Sequence, residues 1–77
     1  MINVSCEYRG LDYPKLDGIL ADKIVGKHST SSGMGFGRRD LDWEFKDKDH
    51  SSAIRSFKKL LKVKKKYKLF SVTLYSE

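Results

Sequence analysis

The sequence predicts an α+β fold, a two-layer sandwich with two helices on one face of a three- or four-stranded, mostly antiparallel sheet. Three observations predict it. Apolar and polar residues alternate in several short segments, the period of a half-buried strand. In two other segments apolar residues recur every three to four positions, the period of an amphipathic helix. The two kinds of segment follow one another as strand, helix, hairpin or long strand, helix, strand, and each has one apolar side to bury. At 77 residues the chain is one domain, residues 1–77, because independent cores need roughly 50 to 200 residues.

The elements follow in order. Ile2, Val4, Cys6 and Tyr8 alternate with Asn3, Ser5, Glu7 and Arg9, giving a first strand that Gly10 punctuates. Asp12-Tyr13-Pro14 opens a helix, with Asp12 as its cap and Pro14 tolerated in the first turn. Leu16, Leu20 and Ile24, with Ile19 beside them, form one apolar stripe, and Gly26, Lys27 and His28 stop the helix. Ser29–Gly37 is a run of small residues in which a short strand is expected around Met34 and Phe36. Leu41, Trp43 and Phe45 alternate with Asp40, Asp42 and Glu44, the clearest strand in the chain. Asp47–Ser51 is a polar turn offering Asp49 or Ser51 as a cap. From about Ser52 a second helix places Ala53, Ile54, Phe57, Leu60 and Leu61 on one side. Lys64 would fall in the middle of that apolar side, so the helix is expected to end near Lys62 or Val63. Phe70, Val72 and Leu74 alternate with Ser71, Thr73 and Tyr75 in a last strand, with the first set expected inward.

The resulting β-α-β-β-α-β order resembles the ferredoxin-like architecture. Within residues 33–54, Gly33-Met34-Gly35-Phe36-Gly37, Trp43-Glu44-Phe45-Lys46-Asp47 and Ala53-Ile54 resemble the third strand and second helix of RNA-recognition motifs. In that family, aromatic rings on the open sheet face stack on bases. Here Arg38-Arg39-Asp40-Leu41 interrupts the spacing, and inward Leu41, Trp43 and Phe45 leave Asp40, Asp42 and Glu44 on the open face. The resemblance therefore implies the fold and none of the family's binding residues.

Composition bounds function. Hydrophobic residues are 39% and charged residues 34% of the chain, too apolar for disorder. A core this small yields only about 3–5 kcal/mol of net stability, little to support strained catalytic groups. Cys6 is the only cysteine, which excludes an intramolecular disulfide and a cysteine zinc cluster and makes a reducing cytoplasm the simplest setting. The first residues carry no basic region followed by an apolar run, and no segment approaches the roughly 18 apolar residues of a membrane span. A non-enzymatic protein without cofactor, metal or membrane association is expected.

Net charge is +6, and it is unevenly placed: between Arg55 and Lys68 there are eight basic residues and no acidic one. Arg55, Lys58, Lys59, Lys62, Lys65 and Lys66, with Arg38 and Arg39 as additions, are the expected partner-binding residues. Lysine dominates over arginine, which suits electrostatic steering better than bidentate recognition. The Lys27–Arg39 segment, with three glycines and no acid, has the ingredients of an anion nest but neither a dinucleotide fingerprint nor a phosphate-loop pattern. A mobile connector is the simpler expectation for it. Glu7, Asp42 and Glu44 would adjoin if their strands pair, and a wet sheet face explains them. His28 and His50 lack ligands at metal spacing, and Cys6 and Trp43 lie in core registers. The expected function is a small noncatalytic binding or adaptor module that meets a macromolecule, an acidic protein first, through the basic helix face. Nonspecific nucleic-acid binding through the same lysines is the alternative, and an exposed sheet edge offers a route to homodimerisation.

Overall fold

A computed structural model describes residues 1–10 and 13–76. The elements are β1 (Ile2–Arg9), α1 (Tyr13–Gly18) continuing as a π-helical stretch (Ile19–Val25), β2 (Ser31–Gly35), β3 (Arg38–Phe45), a 3-10 turn (Asp47–Asp49), α2 (His50–Val63) and β4 (Leu69–Ser76). The strands form one four-stranded antiparallel sheet in the order β2-β3-β1-β4, with the two helices forming a second layer. The α+β prediction holds, and the short glycine-rich segment supplies the fourth strand.

The alternation in β1 and β3 sets the core. Val4 pairs with Trp43, Cys6 with Leu41 and Tyr8 with Arg39. Opposed residues share a side, so Val4, Cys6, Tyr8, Leu41, Trp43 and Phe45 all turn toward the helices and are buried. Trp43 is fully enclosed, and its indole N–H donates to the Lys27 carbonyl at 2.9 Å, which removes the cost of burying that polar group. Leu20 and Ala21 from the first helix and Ala53 and Leu60 from α2 close the core from above.

The first helix ends as expected at Gly26, whose left-handed φ of 86° only glycine adopts without strain. Its second half is π-helical, with the Gly26 N–H reaching the Ala21 carbonyl at 2.8 Å. The wider turn buries Ala21 beside Leu20. The expected Asp12 cap lies outside the described residues. Asp49 stands at the N-cap of α2 but makes no side-chain capping bond, because the 3-10 turn feeds directly into the helix. Within α2, Ser56 takes an inner position while Leu61 is exposed, which corrects the expected stripe. The Ser56 hydroxyl is satisfied by donating to the Ser52 carbonyl at 2.9 Å.

Two strand expectations change. Phe36 is not in a strand: β2 ends at Gly35, and Phe36-Gly37 is a two-residue hairpin link with φ of 54° and 76° at its two residues. Positive φ at both central positions matches the right-handed twist of the flanking strands. A phenylalanine there costs about 1–2 kcal/mol relative to glycine. Phe70 is not inward either. Val4 pairs with Leu74 and Cys6 with Val72, but the ladder shifts between Glu7 and Tyr8, and Tyr8 faces Leu69. This bulge gives Leu69 the inner, buried position and leaves Phe70 exposed.

Candidate functional site

α2 delivers one of two candidate surfaces. Ala53, Ser56 and Leu60 face the sheet, so the 3.6-residue period turns Arg55, Lys58, Lys59 and Lys62 outward, where all are exposed. The turn after Val63 adds exposed Lys65 and Lys66, the latter with its ammonium 5.4 Å from the Tyr67 ring centre. The ion pairs among the described residues involve Met1, Arg38 and Arg39 and none of these six cations. Arg55 and Lys59 also border an open cleft of about 330 Å³ between α2 and the end of the first helix, together with Lys27 and Asp49. Lys27 is already engaged there: its ammonium donates to the Glu44 carbonyl at 2.9 Å and lies 4.4 Å from the Phe45 ring centre.

The two adjacent arginines of β3 separate. Arg39 points to the helix side, where its Nε and Nη2 donate to Asp17 at 3.1 and 2.7 Å. The buried Tyr8 hydroxyl also donates to Asp17. The Arg39 side chain is only 17% exposed, so it ties the first helix to the sheet rather than adding to the basic surface. Its hydrogen bonds to Asp17 hold its pKa above the usual arginine value. Burial, then the bond to Asp17, raises the Tyr8 phenol well above its ordinary value. Arg38 lies on the opposite, open face, 61% exposed, 3.9 Å from Glu7 and with its guanidinium carbon 4.9 Å from the Phe70 ring centre. It sits on the sheet face opposite the helices, apart from Arg55, Lys58, Lys59 and Lys62 on α2.

Arg38 belongs instead to a second surface at one end of the sheet. Arg9 pairs with Arg38 across β1 and β3, and with Phe36, Gly37 and Phe70 they line an open depression of about 520 Å³. Phe36 is fully exposed at the hairpin tip, and Phe70 is 44% exposed. The tip is braced from below by the Gly10 N–H donating to the Gly37 carbonyl at 2.8 Å. Phe70 also borders a neighbouring depression with Leu61, Lys64, Lys65 and Lys68, so cations continue from the sheet end around to the α2 terminus. Arg9, Phe36 and Phe70 were absent from the sequence-derived set. Gly37 carried a usable signal for Phe36, since a glycine between two strand-like runs marks a hairpin link. No local signal marks the bulge that exposes Phe70.

Two of the four acids on the open face have local side-chain partners. Asp42 accepts from the Ser5 hydroxyl and, at 3.2 Å, from the Ser31 hydroxyl, while Glu7 faces Arg38. Glu44 pairs with Asn3 and Asp40 with Glu7 across the ladder. Among the described residues, no group of three histidine, cysteine, aspartate or glutamate side chains is placed to hold a metal ion. His28, in the connection between the first helix and β2, and His50, at the start of α2, are both exposed. Cys6 is buried, and desolvation, reinforced by Asp17, Asp42 and Asp40, pushes its thiol up to about 12. A protonated buried thiol is a poor nucleophile. Among the described residues no helix is long and apolar enough to cross a membrane. The molecule thus presents a lysine-rich helix face on one side and an aromatic–arginine end on the open side of its sheet. No protein-family model, curated protein or solved structure matches the chain.

Proposed function

We propose that this protein is a noncatalytic binding or adaptor module that docks an acidic protein on the outer face of α2. The observation that carries this reading is the row of exposed Arg55, Lys58, Lys59 and Lys62, continued by Lys65 and Lys66, with no carboxylate partner among the described ion pairs. Such a field steers an acidic partner and fixes its orientation. Flexible lysines suit a carboxylate-rich surface, where no planar bidentate geometry is demanded. The scaffold is assigned to the ferredoxin-like architecture, supported by the β-α-β-β-α-β connectivity and the strand order β2-β3-β1-β4. A reducing, cytoplasmic setting agrees with the single buried thiol of Cys6. The edge strand β4 carries no charged side chain from Leu69 to Ser76, which leaves self-pairing through that edge open to this chain.

The test is a titration of isotope-labelled protein with a glutamate-rich peptide at low and physiological salt, followed by amide shifts. Shifts confined to α2 and residues 64–66, abolished by joint Lys58→Glu and Lys62→Glu substitution, are expected. Shifts that ignore the charge reversal, or none at low salt, would refute the docking face.

A further inference from the structure

Three backbone irregularities converge on the Arg9–Phe70 end of the sheet. Phe36 holds φ of 54° at the hairpin tip, Lys68 holds φ of 55° just before β4, and the β1–β4 ladder shifts between Glu7 and Tyr8. The ladder shift turns outward a Phe70 ring that a regular strand would face inward, and the hairpin link holds the Phe36 ring at its exposed tip. No packing repays the Phe36 conformation, since its side chain is fully exposed. Strained backbone and bulges concentrate where a protein aims side chains at a ligand.

The chemistry around the rings narrows the ligand. Phe36 and Phe70 share one depression with the guanidiniums of Arg9 and Arg38, and Lys64, Lys65 and Lys68 border the adjoining one. Flat apolar rings interleaved with exposed cations match a chain that alternates flat bases with anionic phosphates. Bases in a duplex keep their faces stacked on one another, so only an unpaired strand can offer them to a protruding phenyl ring. One acid, Glu7, lies beside this path, 3.9 Å from Arg38; Asp40, Asp42 and Glu44 follow β3 away from Arg38, while the cations run across the sheet end. We infer that the hairpin tip and the start of β4 form a binding site for single-stranded nucleic acid, with Phe36 and Phe70 stacking on bases and Arg9, Arg38 and Lys68 meeting phosphates. The strand would cross the end of the sheet and not its centre, meeting the α2 face only at its far end, at Lys65.

The experiment is fluorescence anisotropy with labelled ten-nucleotide oligo-U and oligo-dT, a duplex of equal length, and a glutamate decapeptide as competitor. Single strands are expected to bind more tightly than the duplex and to resist the peptide. Phe36→Gly, which relaxes the backbone and so keeps the fold, and Phe70→Leu, which keeps an apolar side chain without the ring, are each expected to weaken binding by roughly 5- to 100-fold. Phe36→Trp is expected to retain it. Lys58→Glu with Lys62→Glu is expected to change it less than either phenylalanine variant at physiological salt. Equal affinity for duplex, full competition by the peptide, absence of binding at low salt, or affinity untouched by both phenylalanine variants would each overturn the inference.

Discussion

The outer face of α2 and the hairpin end of the sheet are both basic, yet they are built in opposite ways. The α2 face follows from one regular helix: Ala53, Ser56 and Leu60 pack inward, and the lysines are what remains outside. Nothing in the backbone there departs from the ordinary. At the hairpin end, two non-glycine residues take positive φ and a ladder shifts, and the result is exposed rings between arginines. A regular face costs the fold little and supplies long-range attraction. An irregular end costs the fold conformational energy and supplies shape. Charge alone would have ranked the helix first, whereas local strain singles out the sheet end.

Substitutions can break this contrast, and the largest expected effect separates the two neighbouring arginines. Arg39→Ala leaves Asp17 facing a partly buried site without its cation and is expected to cost about 2–4 kcal/mol of stability, less than a fully buried pair because both groups retain some exposure. Arg38→Ala on the open face is expected to change stability by no more than about 0.5 kcal/mol while weakening oligonucleotide binding. Urea titration of both variants measures this directly, and equal losses would erase the distinction between a tie and a ligand-facing residue.

The next effect has the opposite sign. Phe36→Gly removes the left-handed penalty and is expected to raise stability by about 1 kcal/mol, seen as a higher Tm. A fall in Tm would mean that the phenyl ring supports the fold. A smaller effect is expected on α2, where Lys58→Glu with Lys62→Glu should leave stability within about 0.5 kcal/mol of the parent. A loss beyond about 1 kcal/mol would show those lysines to be structural.

The core beneath both regions predicts a pH limit. The Cys6 thiol is raised by burial from 9.0 to about 12, and Tyr8 shifts the same way. Both groups hold their protons more tightly when folded, so their contribution is complete below pH 9. It falls as the unfolded thiol ionises and is gone once the folded thiol does so near pH 12. Urea midpoints between pH 7 and 11 should therefore decline only above about pH 9. Native Cys6 should resist a thiol reagent at pH 8 and react on denaturation.

Much of this was legible from residue order. The alternation through Leu41, Trp43 and Phe45 defined the core strand and its inward side, because a one-residue slip would have exposed the indole. Gly26 and the misplaced Lys64 marked helix ends correctly within a residue or two. What escaped was set by tertiary pairing. The Leu69-Phe70 doublet fits either strand phase, and only the ladder against β1 selects Leu69 for the interior. The alternation that turns Leu41, Trp43 and Phe45 inward also assigns Arg39 to the helix side and Arg38 to the open side, but the partner that makes an inward arginine tolerable, Asp17, lies 22 residues away and only the fold brings it there. Phe36 reads as part of a strand unless Gly37 is taken as half of a two-residue link.

The contrast between the two surfaces is most directly tested by mapping amide shifts while single-stranded oligo-U is added to isotope-labelled protein at physiological salt. The account predicts perturbations at Arg9, Phe36, Gly37, Arg38 and Phe70, with α2 residues 55–62 nearly still. Perturbations centred on Arg55, Lys58, Lys59 and Lys62, with the hairpin tip unmoved, would contradict it.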